Sequence, residues 1–205
     1  MIDVSVIIPY NRDRGFLREA VASAKASKYV KVEVILANGD QTLGKNFNQG
    51  LRRATGKYVK ILAEDDLLTV SGLFHLVKAM ESYDFVCANS ENFGRKNYIM
   101  KSVAPASLTQ LLQRNTIHGG TVLYRRDILV AVGGMDESIW TGEELELHYR
   151  LLSKGYKCGY VDATVCRYRL HDAQKSIGAS VATAEYKRRR VECINSFREK
   201  YKAML

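Results

Sequence analysis

Three consecutive acids, Glu64, Asp65 and Asp66, follow directly on the short apolar run from Tyr58 to Leu62. Adjacent carboxylates repel one another unless a cation sits among them. Hard divalent ions such as Mg²⁺ and Mn²⁺ take oxygen ligands, and Mg²⁺ typically uses one or two carboxylates plus substrate phosphates. A carboxylate pair at the carboxyl end of a strand is therefore a cradle for a metal-bound diphosphate. The competing reading is a solvated acidic turn ahead of a helix near Ser71.

The elements that must position these acids alternate in type. Val4–Ile8 is a continuous apolar run, as in a buried parallel strand. Residues 15–26 read as a helix, 30–37 as a second strand, and 43–54 as a helix stopped by Thr55-Gly56. Residues 58–62, 85–88, 98–103, 121–124, 156–161 and 165–168 read as further strands, with helices over 72–81, 107–114, 126–132 and 143–153. The spacing predicts an α/β chain with a mostly parallel sheet covered on both faces. In such sheets ligands bind beyond the carboxyl ends of the strands. Three polar clusters fall there: Pro9-Tyr10-Asn11, Asn38-Gly39-Asp40 and the acids at 64–66. Neither a GxGxxG nor a GxxxxGK[ST] fingerprint is present.

At 205 residues with 46% apolar and 26% charged side chains, the chain fits one soluble domain. Its N-terminus lacks a signal-peptide pattern, and no apolar run is long enough to span a bilayer, which points to the cytoplasm. Four scattered cysteines without CxxC spacing argue against structural zinc and for reduced thiols. The formal charge is +9, and residues 185–205 contribute seven basic against three acidic side chains. Val191, Ile194, Phe197 and Tyr201 recur at helical spacing there, predicting an amphipathic basic helix. Such a helix either docks on the core or meets anionic lipid headgroups. Nucleic acid is not expected, because the basic residues are not interleaved with stacking aromatics.

With these clusters placed, the chain resembles the inverting glycosyltransferases of family 2. Val-Ser-Val-Ile-Ile-Pro-Tyr-Asn-Arg (4–12) is similar to the family's opening strand and loop, and residues 54–66 are similar to its strand into a DxD-type acidic motif. Residues 122–137 look like the segment before the acceptor-side loop, and residues 140–151 resemble the motif carrying the catalytic base. Residues 167–171 resemble a late basic segment that closes over the diphosphate. The resemblance implies a GT-A nucleotide-diphospho-sugar transferase fold, a single Rossmann-like, mostly parallel mixed sheet flanked by helices. The catalytic domain would span 1–180, with the basic helix at 181–205 docked on it or appended to it.

It further implies a nucleotide-diphosphate sugar, UDP-type favoured, bound by Pro9, Tyr10, Asn11, Arg12, Asn38, Asp40, Lys45, Asn48 and Asp65. Mn²⁺ or Mg²⁺ would be held by Asp66, Asp65 and His171, with Glu64 between family positions and facing solvent. Glu144 matches the base aspartate, with Glu143 as the neighbouring candidate. Residues 141–144 equally fit a capping box in which Thr141 caps the helix and Glu144 reaches back to its amide. His118, Gly119, Gly120 and Trp140 would line the acceptor side, for a sugar or lipid-linked acceptor in cell-envelope or exopolysaccharide synthesis at the inner membrane face.

The chain departs from the family pattern in two places. Ala37 and Asn38 stand where it has an aspartate pair, and Ala63 stands at the first DxD position. These departures motivate an alternative, a nucleotide-sugar-binding protein of the same fold without catalysis. A nucleotidyltransferase would need a Gly-rich loop after the first strand, which is absent.

Overall fold

The computed structural model describes residues 2–39, 42–172 and 184–205. Its frame is one mixed sheet with strands in the order β2-β1-β3-β7-β5-β8-β4, and β6 paired to β5. The long ladders are parallel: β1 (Val4–Tyr10) with β2 (Val32–Asn38) and β3 (Tyr58–Ile61), and β5 (Phe85–Gly94) with β8 (Cys158–Leu170). Short antiparallel pairings join the two blocks through β7 (Leu123–Arg125) and close the rim through β4 (Leu67–Leu68) and β6 (Tyr98–Met100).

The central strands read as unbroken apolar runs because both faces are covered. Val4, Val6 and Ile8 pack with Ala20 and Ala24 of α1 (Leu17–Lys25) and with Leu73 and Leu76 of α3 (Gly72–Ala79). Ile7 joins the larger core on the other face. That core takes Phe47 of α2 (Leu43–Leu51), Leu111 of α4 (Leu108–Gln113), Leu129 of α5 (Arg126–Ala131) and Leu147 of α6 (Glu143–Ser153). It also takes Phe197 and Tyr201 of α7 (Ala184–Lys202). Because β1, β2 and β3 are parallel, their carboxyl ends open on one edge, and residues 9–11, residues 38–39 and the acids at 64–66 are brought to it.

Several elements differ from the sequence expectation. The two strands expected at 156–161 and 165–168 are one strand, β8, with irregular register against Ala88–Ser90 of β5. The strand expected at 121–124 begins as a 3₁₀ turn, Gly119–Thr121, before β7. The acids are followed by β4, whose two residues pair antiparallel with Arg167 and Cys166. The stripe of α7 also sits differently. Val191 is 55% exposed, while Tyr186, Arg190 and Ile194 are partly covered and Phe197 and Tyr201 are buried. The 180/181 boundary lies outside the described residues. Among the described residues, no helix is long and apolar enough to cross a membrane.

Candidate active site

A cleft of about 950 Å³ opens at the carboxyl ends of β1 and β3. Its floor is the acidic loop, and the sequence fixes that loop at both ends. β3 delivers it from the sheet, and β4 anchors its far side on β8. Asp66, 2% exposed, accepts the backbone N–H of Arg169 on Oδ1 at 2.9 Å, extending the β4–β8 pairing by a side chain. Burial first, then the neighbouring Asp65 charge, pushes its carboxyl well above the usual range. Asp65 faces His171, with Nε2 3.0 Å from Oδ2. Glu64 is not solvated as expected: it is 7% exposed and pairs with Arg14, because the loop folds back under the segment after β1.

The opposite wall carries the other acidic pair. α6 begins at Gly142, whose left-handed φ of 77° turns the chain into the helix. Thr141 is therefore not the cap, and no side chain caps this terminus, so the capping-box reading of Glu144 fails. The Glu144 carboxyl is instead packed on Gly119, where any Cβ would collide with it. Burial raises its pKa to about 7, against the lowering pull of Lys60 and with an upward push from Glu143. Glu143 lines the cleft beside it. The next acid, Glu146, serves the fold: it takes Arg150 at 2.8 Å and the Tyr201 hydroxyl at 2.6 Å.

Lys60 joins the two walls. It stands where strand alternation would put an apolar residue between Tyr58 and Leu62, and it is fully buried. Its Nζ donates to the carbonyls of Ile61 and, at 2.9 Å, Gly120. Burial lowers its pKa, while Cys166, Glu144 and Asp66 favour its charge. Nearby, His118 meets Tyr168 edge-on at 4.9 Å, and burial together with Lys60 lowers its pKa to about 4. His148, one turn after Glu144, shares a 2.7 Å hydrogen bond with the Tyr124 hydroxyl and is lowered by burial to about 3.

Of the residues expected from the sequence, the cleft is lined by Pro9, Tyr10, Asn11, Lys45, Asp65, Asp66, His118, Gly119, Gly120, Trp140, Glu143 and Glu144. His171 reaches it through Asp65. Asn48 does not: its amide donates to Met135 O and Glu137 Oε1 and accepts from Met135 N, bracketing the 135–137 loop. Arg12 and Asn38 are exposed and do not line the cleft. Asp40 lies outside the described residues. Arg167 and Arg169 are engaged by Glu91 and by Glu19 plus the Asp65 carbonyl.

Sequence reasoning missed Arg14, Lys60, Asn46 and the α7 side chains Tyr186, Arg190 and Ile194. Asn46 donates to the carbonyls of Tyr10 and Gly39, tying two strand-end loops together. A lysine interrupting an otherwise apolar strand was the one readable signal among them.

A mixed sheet with this topology, opening a cleft between an acidic strand-end loop and an acidic helix start, is the GT-A fold of glycosyltransferases. Residues 39–133 match the sequence model described as Glycosyl transferase family 2. An uncharacterized glycosyltransferase of Rickettsia typhi is 27% identical over 221 residues, covering 89% of this chain and 69% of that protein. The succinoglycan biosynthesis protein ExoA of Rhizobium meliloti is 32% identical over 111 residues, covering 54% and 33%. The crystal structure of S. aureus TarS 1-349 in complex with UDP-GlcNAc superposes with a TM-score of 0.66 at 14% identity, covering 94% of this chain and 66% of that one. These findings bear out the resemblance in the motifs: residues 39–133 are similar to glycosyltransferase family 2, and the fold is that of the GT-A glycosyltransferases.

Proposed function

We propose that the protein transfers a sugar from a nucleoside diphosphate sugar, UDP-type, to an acceptor hydroxyl with inversion. The observation that carries this reading is the placement of Glu144, a carboxylate with pKa about 7, across one cleft from the acidic loop. Glu144 takes the acceptor proton as the hydroxyl oxygen attacks the anomeric carbon. The bond from that carbon to the diphosphate breaks on the opposite side, and the nucleoside diphosphate departs. Burial, offset by Lys60 and helped by Glu143, sets the affinity of Glu144 for the proton, and its carboxyl packs on Gly119. That the TarS structures hold UDP and UDP-GlcNAc supports the donor class.

The leaving diphosphate gains negative charge, so a cation near the acids belongs to this reading. Among the described residues no group of three or more His, Cys, Asp or Glu side chains is placed to hold a metal. Asp65 and His171 do supply one oxygen and one nitrogen 3.0 Å apart. That pair would hold Mn²⁺ or Mg²⁺. Asp66 already accepts from Arg169 through one oxygen, which supports Asp65 as the carboxylate that would meet the ion. A bound ion would supply charge neutralisation of the leaving group. Synthesis of an envelope or exopolysaccharide glycan belongs to the same proposal and is supported by the likeness to a succinoglycan biosynthesis protein; a lipid-linked acceptor at the cytoplasmic membrane face is proposed with it.

Thermal shift with UDP-GlcNAc, with and without Mn²⁺, tests the donor and metal sites together, since a ligand of the native state raises its melting point. Asp65→Ala is expected to lose the Mn²⁺-dependent part of the protection. Glu144→Gln is expected to keep it while transfer falls about 10²–10⁴-fold. Transfer by Glu144→Gln at the parental rate would overturn the base assignment.

A further inference from the structure

The cleft wall beyond Glu144 is built by α7, and it carries charge. Three arginines follow one another on that helix. Arg188 lies 3.9 Å from Glu192, Arg189 sits 5.7 Å over the Trp140 ring, and Arg190 lines the cleft. Tyr186, one turn before Arg190, meets Trp140 edge-on at 5.4 Å. Ile194, one turn after it, packs on Gly142, where an added Cβ would lie 3.2 Å from Ile194 Cγ1. The flank of the base is thus two aromatic rings and a partly buried guanidinium. No carboxylate of the described residues pairs with Arg190.

We infer that this wall is a subsite for an anionic acceptor, in which Arg190 holds a phosphate or carboxylate carried on or next to the accepting sugar while the ring lies against Trp140 and Tyr186. The inference rests on the transferase reading above and names the acceptor class for it. A planar guanidinium matches carboxylate and phosphate oxygens bidentately, and partial burial strengthens the pairing. Aromatic faces suit the apolar face of a sugar ring. Arg190 is on the acceptor side because its helix packs on Gly142, two residues from the base. On the transferase reading the donor side is Pro9, Tyr10, Asn11 and Lys45, which line the same cleft. The guanidinium also offsets the repulsion that Glu143 and Glu144 exert on an anion placed beside them. A neutral acceptor would leave that guanidinium without a partner.

Binding of methyl β-glucoside, glucuronic acid and glucose 1-phosphate, measured by saturation-transfer NMR on the full chain with and without UDP and Mn²⁺, tests the subsite. The two anionic probes are expected to bind about tenfold more tightly than the neutral one at low salt. Arg190→Ala should erase that preference and Arg190→Lys should retain part of it, both with unchanged UDP affinity and melting temperature. Trp140→Ala should weaken all three probes. Preference for the phosphate over the carboxylate marks a phosphate-linked acceptor, and the reverse marks an acidic sugar. Equal binding of neutral and anionic probes overturns the inference, as does an Arg190→Ala effect falling equally on UDP. Failure of the parental chain to bind UDP counts against the transferase reading, whereas UDP binding without anion preference counts only against this subsite.

Discussion

Glu144 is a partly buried carboxylate within electrostatic reach of Lys60, and the balance of burial and that charge sets its chemistry. Burial alone favours the protonated form, while Lys60 pulls the pKa back so that it settles at about 7. A base must be ionised to act, so kcat/KM should fall as the pH drops through about 7 and level off above it. His118 and His148, held at about 4 and 3, are neutral across that window. Lys60→Met removes the charge that favours the carboxylate. The acid limb of the profile should therefore move to higher pH, and a limb that stays in place would show that Lys60 does not act on the base. The acids at 64–66 were legible in the sequence because carboxylate clustering is costly and local. The partner that tunes Glu144 left one trace, a lysine in an otherwise apolar strand, but not its burial beside the base, since lysine is almost never fully buried unless paired.

The start of α6 and the seat of α7 are one unit. Gly142 sets the helix entry, Phe197 Cζ would lie 3.1 Å from a Cβ placed there, and Tyr201 bonds Glu146 one turn on. Phe197→Ala should cost about 3–5 kcal/mol in urea unfolding. It should also reduce transfer more than donor binding, because the helix start that carries the base loses its support. Gly119→Ala should leave the fold nearly intact and depress activity, since the added methyl displaces the Glu144 carboxyl. The helical period of the C-terminus was readable, but its face was not. Apolar content favours Val191, whereas packing on Gly142 and Trp140 turns Arg190 and Tyr186 inward. β4 was hidden for a different reason: two residues show no periodicity, and only their pairing with β8 makes them a strand.

At the scale of the whole molecule, the parallel block β2-β1-β3 and the covered faces follow from unbroken apolar runs, which is why the fold class was readable from the chain. The joint between blocks, through β7 and the irregular stretch of β8, depends on long-range pairing that no local pattern encodes. The cleft lies across that joint, with its walls supplied from distant stretches of sequence: the loops after β1 and β3, the turn before β7, the start of α6, and α7. Limited proteolysis should therefore cut the C-terminal helix more slowly when UDP-GlcNAc and Mn²⁺ are present, if occupancy of the cleft and seating of the helix are coupled. The position of α7 has a reciprocal consequence. Any protein, lipid surface or modification that drew residues 184–202 away from Trp140 would open the wall beside Glu144 and weaken ligand hold by the same factor that ligand strengthens the helix's grip. The tail is then a handle by which events outside the cleft set how long a substrate stays inside it.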